Sequence, residues 1–347
     1  MADFDIFAPQ ISAVSYDMGG KSLMLYGSNR VGKTKNMCAL PKPCYLMFEN
    51  GLNAISGVPF FRMDDWKTFV QFVKQITDPK NAERAHEMYQ TIILDTAEIM
   101  GNLCATYVCN KFGVQSLGEK KYLPGTTKVD YTFNGYKELD NENRKWLNKL
   151  LNAGYTVAYI AHEGTRDLKD ENGDEYTKIV PRGDKRVMDA ICDAVDIIAY
   201  AVPNGLDDNG NEIKSSLVLA NSKKALAGSR FDYLAPYLAE FTADNLVNAV
   251  KEAVKKEEEM SGNIAVSFEE QAKTREVITT NKSHDELVSE IGTYAQKLFN
   301  EQTGEMDPRY INIIEEYLGK GASVQKTTSD QNEQLEMILF DLKHLFN

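Results

Sequence analysis

The segment GSNRVGKT, from Gly27 to Thr34, has the spacing GxxxxGK[ST], which is typical of a loop that wraps phosphate groups. Its glycines allow a tight turn in which several backbone N–H groups approach phosphate oxygens. In such loops the lysine, here Lys33, reaches the β- and γ-phosphates, and the hydroxyl of Thr34 binds Mg²⁺. The pattern therefore predicts a site for ATP and Mg²⁺ that comprises Gly27, Ser28, Asn29, Arg30, Val31, Gly32, Lys33, Thr34 and Lys35.

Polar side chains end three later apolar runs, where a sheet presents residues to a bound nucleotide. Asp95 ends TIILD and is expected to support the magnesium ion together with Thr34. Because Thr96 follows Asp95, no second acid stands directly beside it. The candidate for activating water is Glu49, at the end of CYLMF on a strand expected to adjoin the phosphate loop. His162 ends TVAYIAH and is the candidate sensor of the γ-phosphate.

Six short apolar runs alternate with helical stretches between residues 20 and 240, which predicts an α/β fold. Several runs are continuously apolar, as in a parallel sheet that helices cover on both faces. One intervening stretch carries an apolar stripe from Tyr136 to Leu151 and predicts a crossover helix that ends before Gly154. The predicted strands are SLMLY (22–26), CYLMF (44–48), TIILD (91–95), TVAYIAH (156–162), DIIAYAV (196–202) and SLVLA (216–220).

The pattern changes after about residue 242, where a helical segment leads into a polar stretch over residues 261–282. Three further helices are then predicted. Ser283 and Glu286 form a capping box before the first, Asp307 with Pro308 begins the second, and the third starts near Ser329. The predicted organisation is an ATPase domain over 1–241, a helix and linker over 242–282, and a helical C-terminal module over 283–347.

The composition limits the function classes. The 347 residues carry a formal net charge of −12, which counts against a wholly basic, nucleic-acid-coating surface but allows a local basic loop. No apolar stretch approaches the ~20 residues of a membrane helix, and the acidic N-terminal segment 1–10 is unlike an export signal. We therefore expect a cytoplasmic protein without a membrane partner. Buried, reduced thiols are expected at Cys38, Cys44, Cys104, Cys109 and Cys192.

The order of phosphate loop, Glu49, Asp95 and His162 resembles the RecA-like ATPase core. It is most similar to the phage-encoded, RecA-related ATPases of single-strand annealing and recombination. The segments PKPCYLMFENG and AYIAHE, and the pairs Asp130-Tyr131 and Gly135-Tyr136, carry the resemblance, which spans roughly residues 15–240. It implies a RecA-like P-loop NTPase core with a mostly parallel sheet flanked by helices. Glu49 then matches the water-activating glutamate and His162 the γ-phosphate sensor.

The resemblance also implies partners. Residues 163–186 occupy the place of the DNA-binding loop of RecA, with Tyr176 as their one aromatic residue. A homo-oligomer with ATP at its interfaces, single-stranded DNA as ligand and a bacterial host cytoplasm are implied. The implied DNA-binding cations are Arg166, Lys178, Arg182, Lys185 and Arg186, and the cations that reach a neighbouring subunit's nucleotide are Lys223 and Lys224, with Arg230 as a second candidate.

Two other functions use the same residues. An ATP-gated adaptor would recruit replication or recombination proteins through the C-terminal helices rather than bind DNA itself. A small-molecule kinase also uses GxxxxGK[ST], but it closes a lid with several arginines over the phosphates. Arg182 and Arg186 alone make a poor lid, and Glu49 would have no role in such an enzyme.

Overall fold

The computed structural model describes residues 14–123, 125–130, 133–262, 265–267, 270–271, 282–300 and 302–346. The chain divides into two compact units, one of residues 9–275 and one of residues 276–347 with 1–8. The N-terminal segment 1–10, Tyr131 and most of the predicted linker (263–264, 268–269 and 272–281) lie outside the described residues. None of the helices described is long and apolar enough to span a bilayer.

The unit of residues 9–275 alternates strands and helices. The strands are β1 Ser22–Gly27, β2 Pro43–Met47, β3 Phe60–Arg62, β4 Thr91–Asp95, β5 Thr156–Lys169, β6 Glu175–Pro181, β7 Ile197–Val202, β8 Ser216–Val218, β9 Gly228–Ser229 and β10 Tyr237–Leu238. The helices are α1 Lys33–Cys38, α2 Trp66–Ile76, α3 Ala82–Met88, α4 Ala97–Phe112, α5 Gly135–Leu151, α6 Lys185–Ala194 and α7 Ala243–Ser261.

The strands form one sheet in the order β10-β8-β7-β1-β5-β4-β2-β3. Strands β7, β1, β5, β4, β2 and β3 are parallel, which confirms the predicted fold of a mostly parallel sheet flanked by helices. The last predicted strand differs, because β8 pairs with β7 in the antiparallel sense. The connection between them makes a local bridge from Leu206 to Glu212 instead of a crossover helix.

Helices cover both faces of the sheet because alternate residues of each strand point to opposite sides. In β1, Met24 and Tyr26 join the cluster packed against α2, α4, α5 and α6, whereas Leu23 and Leu25 join the cluster packed against α1 and α7. The first of these clusters contains Trp66, Phe69, Met100, Leu139, Trp146, Leu150, Val187 and Ile191.

Helix α7 is part of the core of this unit. Leu246, Val250 and Val254 are buried in the same cluster as the strand residues Leu23 and Leu25. The predicted boundary at residue 241 therefore differs from the packing, because the apolar stripe of α7 covers one face of the sheet. Part of the predicted linker packs there too, since Ala265 is buried in this cluster.

The C-terminal unit is helical. Its helices are α8 His284–Leu298, α9 Pro308–Leu318 and α10 Asn332–His344, and β11 Phe299–Asn300 pairs with β12 Glu305–Met306. Ser283 and Glu286 form the capping box before α8, and the side chain of Asp307 caps α9. A short 3-10 turn, Ser329–Gln331, precedes α10. The unit has its own apolar core, which includes Leu287, Ile291, Ile314, Leu335, Ile338 and Leu342.

Candidate active site

The predicted phosphate loop joins the buried strand β1 to helix α1. A Cβ atom on Gly27 would lie 2.4 Å from the carbonyl oxygen of Ala201 in the neighbouring strand, so only glycine fits there. Gly32 has a φ of +84°, in the left-handed region that favours glycine. Val31 is buried, whereas Asn29 and Arg30 are exposed at the tip of the loop. The loop is therefore anchored at both ends and open to solvent between them.

Lys33 lies inside this loop and is only 7% exposed. Its Nζ donates hydrogen bonds to the carbonyl oxygens of Gly27 at 2.8 Å and Ser28 at 2.7 Å. Burial lowers the pKa of Lys33, although the charges of Asp95 and Glu98 act to raise it. The ammonium group is thus held within the loop, where phosphate oxygens are expected.

Asp95 ends β4 and meets the first turn of α1. The hydroxyl of Thr34 donates a hydrogen bond to Asp95 Oδ2 at 2.6 Å, and the hydroxyl of Tyr45 donates to the same oxygen at 2.9 Å. Burial raises the pKa of Asp95, although these two hydrogen bonds act to lower it. The structure brings together the two residues predicted to support the metal, even though β4 is not the strand next to β1.

Glu49 follows β2 and stands beside the end of β4. The N–H groups of Phe48 and Glu49 donate to the carbonyl oxygen of Asp95 at 2.9 and 3.1 Å, and the Thr96 hydroxyl lies 3.5 Å from Glu49 Oε2. The Glu49 side chain is exposed at this edge of the sheet. The prediction that its strand adjoins the phosphate loop is wrong, because β5 and β4 lie between β1 and β2. The carboxylate still lies at the carboxyl edge of the sheet, beside Asp95.

The strand next to β1 is β5, and its residue His162 lies opposite Gly27 in the register. The Nδ1 atom of His162 lies 2.5 Å from Oε1 of Glu98, a buried carboxylate in the first turn of α4. Arg182 Nη2 donates to the same oxygen at 3.1 Å. Glu98 was missed by the sequence analysis. An acid three residues after Asp95, in the first turn of a helix, is an ordinary favourable charge there, so no signal in the sequence distinguished it.

Arg182 lies in a different place from the other predicted DNA-binding cations. It follows β6 directly, and its backbone N–H donates to the carbonyl oxygen of His162 at 2.8 Å. Its side chain pairs with Glu98, the carboxylate that also contacts His162, rather than extending along the hairpin. The structure therefore groups Arg182 with the phosphate loop, because the antiparallel return of β6 brings its end back to the end of the core strand.

The remainder of residues 163–186 forms an ordered hairpin of β5 and β6. The register sets Arg166 opposite Lys178 and Leu168 opposite Tyr176, so these four side chains share one face. Arg166 contacts Asp189 at 3.0 Å. Lys178 donates to the side chain of Asn221 at 2.8 Å.

Lys185 and Arg186 open helix α6 and are exposed. The guanidinium of Arg186 stacks over the ring of Tyr136, with its carbon 4.1 Å from the ring centre. A polar cavity of about 440 Å³ lies beside this pair, between the first turns of α5 and α6. An exposed cation on an aromatic ring is a surface suited to nucleic-acid bases.

The three cations predicted to act on a neighbouring subunit are exposed, but they lie at two separate places on the surface. Lys223 pairs with Asp170 at the hairpin tip and lies over the ring of Tyr176. Lys224 is exposed next to it. Arg230 lies beside β9, which pairs with the beginning of β7, and donates to the carbonyl oxygen of Asp193. Arg230 therefore stands at the amino edge of the sheet, opposite the phosphate loop.

The donors at the loop fit a magnesium nucleotide. Thr34 and Asp95 offer hard oxygen ligands, which Mg²⁺ prefers. Across the described residues there is no cluster of three or more His, Cys, Asp or Glu side chains that could hold a metal ion by itself. This agrees with a metal held by one carboxylate, a hydroxyl and the substrate's own phosphates, the usual arrangement for Mg²⁺ in phosphoryl transfer.

Comparisons with known proteins show the family of this chain. A family model described as an AAA domain matches residues 20–231, which include the phosphate loop, Glu49, Asp95, Glu98 and His162. The chain is also 40% identical, over 341 residues, to the SPbeta prophage-derived uncharacterized protein YorG of Bacillus subtilis (strain 168), with 98% of each chain covered. On its phosphate-loop geometry and the extent of the family match, the chain belongs to the AAA domain family.

Proposed function

We propose that the protein hydrolyses ATP with Mg²⁺ and uses the energy to act on single-stranded DNA, in the manner of phage RecA-like recombination ATPases. The proposal that the protein binds and hydrolyses ATP rests on the contact of Thr34 with Asp95, together with the buried ammonium group of Lys33 in the same loop. A hydroxyl, a carboxylate and a lysine then converge where the triphosphate and its metal are expected. The prophage origin of the relative supports a phage protein that acts in a bacterial host cytoplasm.

The chemistry follows from the residues present. Lys33 would exchange its two carbonyl partners for β- and γ-phosphate oxygens, and Thr34 and Asp95 would hold Mg²⁺. When bound, the ion neutralises charge on the phosphates. Glu49 orients a water molecule and accepts its proton while the water oxygen bonds to the γ-phosphorus. The bond to the β–γ bridging oxygen breaks, and ADP and phosphate leave.

The DNA half rests on the hairpin face. Arg166 and Lys178 are cross-strand partners, so two cations share this face. Asp189 pairs with Arg166, whereas Lys178 is hydrogen-bonded to the neutral side chain of Asn221 and keeps its charge for a phosphate. Tyr176, on the same face, offers a ring on which a base can stack. Lys185 and Arg186 extend the cationic surface along α6, and Arg186 already stacks on an aromatic ring.

Assembly of several copies is the third part of the proposal. Lys223 and Lys224 are exposed near the hairpin tip, and Arg230 is exposed at the other edge of the sheet. A cation supplied by a neighbouring subunit stabilises charge on the transferred phosphoryl group and couples hydrolysis to assembly. The salt bridges that these side chains make here, to Asp170 and Asp196, lie on the surface and are weak enough to exchange.

A second function is favoured by the C-terminal unit. Residues 276–347 have their own apolar core and contain no residue of the candidate active site. This organisation suits an adaptor that recruits replication or recombination proteins through its helices. Removal of residues 276–347 separates the two functions. The adaptor predicts that the shortened chain no longer recovers a protein partner but still binds the nucleotide.

The experiment that tests the leading proposal is ATP turnover with and without a single-stranded oligonucleotide, at low salt. Wild type, Lys33→Ala and Glu49→Gln are compared. We expect turnover by the wild type that rises with the oligonucleotide. An inactive wild type that also retains no oligonucleotide would overturn the proposal. If the protein hydrolyses ATP but does not bind the oligonucleotide, and its turnover is unchanged by it, the ATPase part of the proposal stands and the DNA part is wrong.

A further inference from the structure

One buried carboxylate holds two nitrogen donors at the edge of the phosphate loop. Oε1 of Glu98 lies 2.5 Å from Nδ1 of His162 and 3.1 Å from Nη2 of Arg182. The Glu98 side chain is 8% exposed, whereas the Arg182 side chain is 58% exposed. A buried carboxylate that binds an exposed guanidinium orients it, because the buried partner has fewer conformations available.

The arginine is also fixed through its backbone. Its N–H donates to the carbonyl oxygen of His162, and the following residue, Gly183, packs so closely that a Cβ there would lie 3.3 Å from Cβ of Glu98. His162 in turn lies opposite Gly27, the first residue of the phosphate loop. The base of the Arg182 side chain is therefore locked to the strand that adjoins the loop.

The guanidinium has donors left for a second ligand. An arginine side chain carries five N–H donors in a planar fork. Within the described part of the chain, the Nη2 bond to Glu98 is the side-chain hydrogen bond that the structure gives to Arg182. The remaining donors belong to a side chain that is 58% exposed, and the backbone of Arg182 is bonded to His162, which lies opposite Gly27 of the phosphate loop. A planar fork with free donors suits phosphate oxygens.

We propose that Arg182 binds the terminal phosphate of the nucleotide held by its own subunit, and that Glu98 is the positioning residue that aims it. This rests on the proposed nucleotide function and adds a residue to it. Arg182 stays on Glu98 while ADP is bound, and its free N–H groups bind the γ-phosphate oxygens of ATP. Under this proposal Arg182 is no longer one of the predicted DNA-binding cations, although it directly follows the hairpin on which others of them lie.

The test is a comparison of affinities rather than of turnover. Binding of a slowly hydrolysed ATP analogue and of ADP, both with Mg²⁺, is measured for wild type, Arg182→Ala and Arg182→Lys. A charge-assisted hydrogen bond to phosphate predicts a loss of at least about tenfold in analogue affinity for Arg182→Ala, with ADP affinity changed less than about threefold. Arg182→Lys recovers part of the loss. Glu98→Gln is expected to lower the ratio of analogue affinity to ADP affinity, as Arg182→Ala does.

The control is Arg144→Ala, which removes an arginine that pairs with a carboxylate, Asp140, on the surface of α5. It is expected to keep both affinities. An Arg182→Ala protein with the wild-type ratio of analogue to ADP affinity overturns the inference, as does an equal loss of both nucleotides. If Arg182→Ala loses oligonucleotide binding while the ratio of analogue to ADP affinity is unchanged, the inference is also overturned, and Arg182 is a DNA-binding residue as first predicted. A wild type that binds neither nucleotide overturns the proposed function as well.

Discussion

The hydroxyl of Thr34 donates a 2.6 Å hydrogen bond to Asp95, which lies 61 residues further along the chain. The contact joins the first turn of α1, the helix after the phosphate loop, to the end of β4. Strand β4 is two positions from β1 in the sheet. Both side chains offer oxygen to a divalent cation.

Asp95→Asn is therefore expected to raise the Mg²⁺ concentration needed for binding of an ATP analogue by about 10- to 100-fold, the usual cost of losing a carboxylate beside a bound metal. A titration of Mg²⁺ at fixed analogue concentration measures it. Asp140→Asn, a carboxylate on the surface of α5, is the control and should leave the midpoint unchanged. An unchanged midpoint in Asp95→Asn would remove the residue from the metal site.

Glu49→Gln should separate binding from cleavage. The amide keeps the size of the side chain but accepts no proton from water, so kcat is expected to fall by about 10²–10⁴-fold while analogue affinity stays near that of the wild type. Phosphate release and equilibrium binding on the same preparation measure the two effects. Lys33→Ala should instead lose the nucleotide. If Glu49→Gln cleaves ATP at the normal rate, another group activates the water.

The hairpin face should account for the salt dependence of DNA binding. Lys178→Ala is expected to reduce the slope of log affinity against log salt by about 0.7, the value for one phosphate contact on a single strand. Tyr176→Ala should weaken binding by about 1–3 kcal/mol, the usual value of one base stack. Fluorescence anisotropy of a labelled oligonucleotide at several salt concentrations measures both.

Lys169→Ala is the control for this surface. Lys169 lies on the same hairpin but on its other face, where it pairs with Glu175. Its removal changes the net charge by the same amount as Lys178→Ala. Equal effects of the two substitutions would contradict a defined DNA-binding face.

The buried thiols predict a loss of stability in alkali. Burial raises the pKa of Cys38, Cys44 and Cys192 to about 12, from an ordinary value of 9.0. Between pH 9 and 12 the unfolded chain has therefore released protons that the folded chain keeps, so the free energy of unfolding falls as the pH rises through this window. Urea unfolding in the presence of a reductant, at about pH 8 and about pH 10, measures the fall. Cys44→Ala should make it smaller, and an identical fall in that variant would contradict the assignment.

The packing of α7 predicts where the chain can be shortened. A chain that ends at residue 241 lacks the buried side chains of Leu246, Val250 and Val254 and exposes one face of the sheet. It is expected to be insoluble or unfolded, since each lost leucine or valine contributes about 1.5–3 kcal/mol. A chain that ends at residue 275 keeps α7 and should unfold cooperatively. Circular dichroism and thermal melting compare the two. A stable, folded product ending at 241 would show that α7 is dispensable.

The sheet could be predicted because its strands are read from local sequence. Six apolar runs and one glycine-rich loop were enough for the α/β class. The strand order could not be read in the same way, because pairing depends on contacts between distant segments. Strands β5 and β4 lie between β1 and β2, and this is why the strand before Glu49 was wrongly expected to adjoin the phosphate loop.

Glu98 illustrates the same limit within the site. An acid near the start of a helix is ordinarily a favourable charge at the positive end of the helix dipole, so its sequence context carries no special signal. Its partners, His162 and Arg182, lie 64 and 84 residues away. The antiparallel return of β6, which is not among the six predicted strands, brings the three together. The cluster could be found only from the fold.

Strand β5 runs without interruption from Thr156 to Lys169. Its first half is a central strand of the sheet and its second half is one arm of the hairpin, with His162 at the junction. No turn interrupts the strand, and Gly164 is the one glycine within it. The proposed nucleotide site and the proposed DNA-binding arm therefore share a single continuous backbone.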